Sequence, residues 1–76
     1  MNKDRRAQLE DIRNRLEDIK GEVETLRDDE QEYYDNMSES LQGGDKGTTA
    51  DEAISSMDDA TNSIDEAISS IGTAGQ

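Results

Sequence analysis

Asp51-Glu52-Ala53-Ile54-Ser55-Ser56-Met57 recurs fourteen residues later as Asp65-Glu66-Ala67-Ile68-Ser69-Ser70-Ile71. Fourteen residues are two heptads, so a helix carrying both copies presents one face twice in phase. With Ile54 at heptad position a, the apolar seam reads Ile54, Met57, Thr61, Ile64, Ile68 and Ile71, in steps of three and four. Ala53, Ala60, Ala67 and Ala74 fall on g, a stripe of small side chains that permits close helix approach, and Asp51, Asp58 and Asp65 fall on e. Thr49-Ala50-Asp51-Glu52 has the form of a capping box, in which the Thr hydroxyl accepts from a free amide and Glu52 reaches back. Gly72 has the form of a stop. These signals predict a helix over about 49–71 with a frayed tail.

Upstream, Leu9, Ile12, Leu16, Ile19, Val23 and Leu26 repeat the same steps over nearly three heptads. With Leu9 at a, the phase continues through Glu30, Tyr33 and Met37, which predicts a first helix over about 4–36. Its e positions Arg13, Lys20 and Arg27 are basic, and its b positions Glu10, Glu17 and Glu24 are acidic. Cations and acids three and four residues apart on a helix surface form weak ion pairs.

Between the two seams lies a loop over about 37–48, where three Gly fall in five residues at Gly43, Gly44 and Gly47. Helices joined by a short loop pack antiparallel. The chain reads as one all-α domain, 1–76: an antiparallel helical hairpin of coiled-coil type. Antiparallel coils set e against e, which opposes Arg13, Lys20 and Arg27 to Asp65, Asp58 and Asp51. A slip of one heptad would tighten the loop while leaving Leu9 and Ile12 without partners, so the register stays open. So short a seam leaves a lone hairpin marginal. A self-associated helical bundle, a homo-oligomer, is the expectation.

Composition narrows the function. Twenty acids against eight cations give a net charge of −12, and Leu, Ile and Val together number only eleven. That combination alone reads as disorder; the two seams argue for helices instead. With no Cys and no His, thiolate chemistry, sulfur-ligated zinc and His-based triads are excluded. The alternating acids of a calcium loop are missing as well. No enzyme activity, metal or cofactor is expected. No apolar run is long enough for a membrane span, and the charged N-terminus does not resemble a signal peptide, so a cytoplasmic protein without membrane contact is expected. So acidic a chain is a poor ligand for nucleic-acid phosphates.

Three features remain as candidate sites. The acid-rich surface of the first helix comprises Glu10, Asp11, Glu17, Asp18, Glu22, Glu24, Asp28, Asp29, Glu30, Glu32 and Asp35. It reads as a solvated face that keeps the bundle soluble, or as a recognition surface for a basic partner, including mimicry of DNA phosphates. Carboxylates seven residues apart recur about every 10 Å along a helix. The glycine-rich segment with Gly43, Gly44, Lys46, Gly47, Thr48 and Thr49 opens onto a helix. It reads as a turn with a cap, or as an anion site for a small nucleotide; it lacks the order of a P-loop. In Tyr33-Tyr34, the phase sets Tyr33 with Met37 over the loop end and points Tyr34 outward as an aromatic anchor.

The stretch Asp35-Asn36-Met37-Ser38-Glu39-Ser40-Leu41-Gln42, followed by Asp45-Lys46-Gly47 and an Ala/Ile/acid helix, resembles a family of short acidic helical proteins of phages and prophages. In that family a Pro is expected where Ser38 stands, and Arg or Lys at Lys46. The likeness covers most of the chain, but only the loop segment is specific. It carries no activity to transfer. It implies a phage-encoded protein acting in a bacterial host cell by binding and inhibiting a host protein, in the manner of a counter-defence (anti-CRISPR-like or DNA-mimic) inhibitor. The alternatives are an oligomeric sponge for an anionic nucleotide signal and a purely structural coiled-coil module.

Overall fold

Asn2 starts the first helix: its side-chain oxygen accepts the Arg5 amide at 2.8 Å, satisfying one of the amides a helix start leaves free. From there α1 runs Lys3–Asp35. A single-turn α2 follows, Glu39–Gln42, capped by Ser38, whose hydroxyl accepts the Leu41 amide at 3.4 Å. The last element is α3, Asp45–Ala74. The computed structural model describes residues 1–76, is 88% helical with no strands, and forms a rod of 58 × 14 × 12 Å.

The fold is the expected all-α hairpin, with α1 and α3 packed against each other. Two cross-helix ion pairs give the direction and the register. Lys20 Nζ lies 2.8 Å from Asp65 Oδ1, and Arg27 Nε donates to Asp58 Oδ1 at 3.0 Å. Seven residues forward on α1 match seven backward on α3, so the helices are antiparallel. The register is the one slipped by a heptad: Lys20 takes Asp65 instead of Asp58, and Arg27 takes Asp58 instead of Asp51. Arg13 then falls opposite Gly72, where a Cβ would stand 3.3 Å from its guanidinium.

The second helix departs from the reading at both ends. It starts four residues before Thr49, so Thr49 lies inside α3 and the capping box does not form; Gly44 is the N-cap and offers no side-chain bond. The seam itself explains the earlier start. Gly47 and Ala50 continue its steps of three and four upstream of Ile54, and Gly47, Ala50 and Ile54 are the three buried residues of the chain. Gly47 is required by close approach, since a Cβ there would collide with the Gln42 backbone. No residue takes a positive φ, so the glycines do not serve a left-handed turn. At the other end α3 continues through Gly72 to Ala74, with Gly75 as C-cap. That extra length keeps Leu9 half-buried, beside a cleft it shares with Ile71, Gly72 and Gly75.

The helix α1 is also rolled about its axis. Its a residues Leu9, Leu16 and Val23 and its e residues Arg13, Lys20 and Arg27 are half-buried. Its d residues Ile12, Ile19, Leu26 and Tyr33 face solvent. Long cationic side chains can cover apolar surface with their stems while the heads reach acids at the rim, and here the e cations take the place of the d aliphatics against α3. The core is accordingly thin: Ala50 and Ile54, at 1% and 6% exposure, are its buried apolar side chains.

Candidate functional site

Every acid of the predicted recognition face except Glu30 is exposed, but ion pairing divides the face in two. Glu10 holds Arg13 at 2.8 Å and Asp11 holds Arg15 at 3.1 Å. Glu24 lies 3.7 Å from Lys20, and Asp28 lies 3.5 Å from Arg27. Glu17, Asp18, Glu22, Asp29, Glu30, Glu32 and Asp35 have no cation in ion-pair range; Asp35 accepts the Gln31 amide at 2.9 Å.

The antiparallel fold sharpens this contrast. A cut across the rod between Lys20 and Gly21 on α1 falls between Ile64 and Asp65 on α3, in the observed register. The loop half, residues 21–64, holds thirteen acids and two cations, a net −11; the open half holds seven acids and six cations, a net −1. Ten of the thirteen loop-half acids have no ion-pair partner; the other three are Glu24, Asp28 and Asp58. Sequence reading found the α1 share of this patch and missed Glu39, Asp45, Asp51, Glu52 and Asp59. Their signal was the hairpin itself, which lays the acidic start of α3 beside the acidic end of α1.

The two cross-helix cations have shifted titrations. The hydrogen bond to the Asp65 carboxylate holds the Lys20 ammonium above its ordinary value, and that to Asp58 does the same for Arg27. Partial burial of both side chains opposes the rise without cancelling it, and the two contacts align the helices at the rim of the seam.

The glycine-rich segment does not form an anion cradle. Gly43 ends α2 and Gly44 precedes α3, while Lys46, Gly47, Thr48 and Thr49 lie within the first turns of α3. The Thr48 amide is already bonded to the Gly44 carbonyl at 3.0 Å, and Gly47 is packed against Gln42. Asp45 places a carboxylate at the positive end of the helix, where a bound anion would have to sit. The adjoining open cleft, about 230 Å³, is lined by Glu30 and Asp45 as well as Lys46. A phosphate entering there would meet two carboxylates for one ammonium.

The tyrosines exchange the expected roles. Tyr33 is the exposed ring and Tyr34 is half-buried, because the roll of α1 turns e inward and d outward. The Tyr34 carbonyl accepts Gln42 Nε2 at 3.0 Å, which ties α2 back onto α1. Tyr34 thus sits in the last turn of α1 facing inward, and an aromatic anchor for a partner would be Tyr33.

No group of three or more Asp or Glu side chains is arranged to hold a metal ion, and no helix is long and apolar enough to cross a membrane. Compared with protein-family models, curated proteins and solved structures, the chain matches none.

Proposed function

We propose that the chain is a non-enzymatic interaction protein whose acidic loop half binds a basic surface of a partner protein. The charge asymmetry of the rod carries this reading. A net −11 gathered in one half, with ten acids lacking counter-charges, makes a directional negative field that attracts and orients a basic surface. A chain needing only solubility has no reason to leave its other half near neutrality. The likeness of the loop to short acidic phage proteins extends the reading to inhibition of a host protein in the bacterial cytoplasm, and a nuclease or DNA-binding factor has the basic groove such a field fits.

The experiment is affinity capture from bacterial lysate, with the wild type and Asp28→Asn/Asp29→Asn/Glu32→Gln as paired baits. A basic partner held by the wild type, released as the Debye length falls from about 8 Å toward about 3 Å in 1 M salt, and lost by the neutralised bait supports the reading. The wild type should then inhibit that partner's DNA binding or cleavage, and the neutralised protein should not. Equal capture by both baits, or no captured basic protein, sinks it.

A further inference from the structure

The apolar flank of α1 is unaccounted for by that role. Ile12, Ile19, Leu26 and Tyr33 stand at successive d positions and are 37%, 45%, 61% and 51% exposed. Exposed aliphatics occurring singly are ordinary on a protein surface. Four in one heptad line, on a chain with only eleven Leu, Ile and Val, recur about every 10 Å along one flank of the rod. On the helix wheel d lies across the a row from e, so the line falls on the flank away from the Lys20–Asp65 and Arg27–Asp58 pairs.

We infer that this stripe is the interface with a second copy of the chain, packed antiparallel about a two-fold axis near Glu22 and Val23 to make a four-helix bundle. The inference rests on the apolar line and not on the acidic-half reading; each end of such a dimer holds one acidic half and one near-neutral half, so the charge asymmetry belongs to the single rod. Area is the first argument. A compact monomer of 8.4 kDa has about 4,600 Å² of accessible surface, whereas this chain has 5487 Å². The excess of roughly 900 Å² is close to the about 800 Å² that each partner buries in a standard-size interface.

Charge decides the occupant and its direction. Parallel stacking would superpose two loop halves of net −11 each. Antiparallel stacking sets the loop half of one copy over the near-neutral open half of the other, where Lys3, Arg5 and Arg6 have no ion-pair partner of their own. The stripe matches itself in that direction: Ile12 meets Tyr33 of the second copy, and Ile19 meets Leu26. On the flank, Arg15 approaches Asp29 of the second copy. Glu22 approaches its own symmetry mate, a like-charge contact.

Sedimentation equilibrium on the intact protein should show a dimer that dissociates on dilution, and Ile19→Glu should raise its dissociation constant about a hundredfold or more, as loss of a central apolar anchor does. Ile19→Lys combined with Leu26→Glu in one chain should recover most of the affinity, because each central layer then holds one opposite-charge pair. Glu22→Gln should tighten the dimer. Since the chain has no Cys, engineered thiols report direction without relying on the stability of those variants. On mild oxidation, a mixture of Ile19→Cys and Leu26→Cys chains should give mainly the mixed disulfide. A wild type that stays monomeric at every concentration, or a mixture that gives chiefly 19–19 and 26–26 disulfides, overturns the inference.

Discussion

The two copies of the repeated heptad share six of seven residues and live in different surroundings. In the first copy Ile54 is buried, and Asp51 has no ion-pair partner. In the second copy Ile68 is only half-buried, and Asp65 is held by Lys20 at 2.8 Å. The first copy follows Gly47 and Ala50, where α2 folds back onto the start of α3, and gains burial from that approach. The second lies along the rolled face of α1, where a cationic e residue takes the place of an aliphatic one. One sequence thus supplies packing at the loop end and alignment toward the open end. What a heptad contributes is fixed by what stands opposite it.

The strongest way to break the contrast is to remove the approach that produces it. Gly47→Ala puts a methyl group into the Gln42 backbone, and the expected loss is about 3 kcal/mol or outright failure to fold. Circular dichroism melts would measure it; an unchanged midpoint would mean that the close turn does not bury the first copy. Next in size is one substitution made in both copies. Ile54→Ala should cost about 3 kcal/mol and Ile68→Ala about 1 kcal/mol, since the cost of truncation follows burial. Equal losses in chemical denaturation would erase the distinction.

The acids should respond with the opposite ranking. Asp65→Asn breaks the Lys20 pair and should lower the melting temperature at low salt, with less effect at high salt. Asp51→Asn removes an unpaired charge from the acid-dense half and should leave it unchanged or raise it. Exchanging Lys20 and Asp65, as Lys20→Asp/Asp65→Lys, should restore the wild-type midpoint, whereas exchanging Lys20 and Asp58 should not. The smallest effect is with pH. Because Lys20 is raised from 10.5 in the folded state, its contribution is present below about 10.5 and is lost as pH climbs through the raised value. Alkaline melts of Asp65→Asn should fall less steeply there than those of the wild type.

Both seams, the hairpin and the antiparallel direction were legible, because steps of three and four over several heptads leave little else for the chain to be. The register was not. Charges at e repeat every seven residues, so Lys20 finds an Asp in either alignment, and that period alone does not choose between them. The seam phase extended back through Ala50 to Gly47, but Thr49 looked like a cap and drew the boundary forward. Of the candidate site, the α1 acids were readable as residues, while their union with Asp45, Asp51, Glu52 and Asp59 depended on the fold. The exchange of Tyr33 and Tyr34 was hidden for a related reason. A seam pattern states which residues are apolar; it does not state that cations at e can displace the aliphatics at d.

The slender rod also sets how far so short a chain can extend. Its radius of gyration is 17.2 Å, where a compact fold of this length has about 11 Å. At 58 Å its long axis is about twice the diameter of such a globule. A surface mounted on a rod can lie along an extended groove and touch both ends at once, with the helices acting as a fixed ruler. Since the repeat unit is two heptads, adding one unit to α3 and its match to α1 would lengthen that ruler by about 21 Å at 1.5 Å per residue without disturbing the phase of either seam.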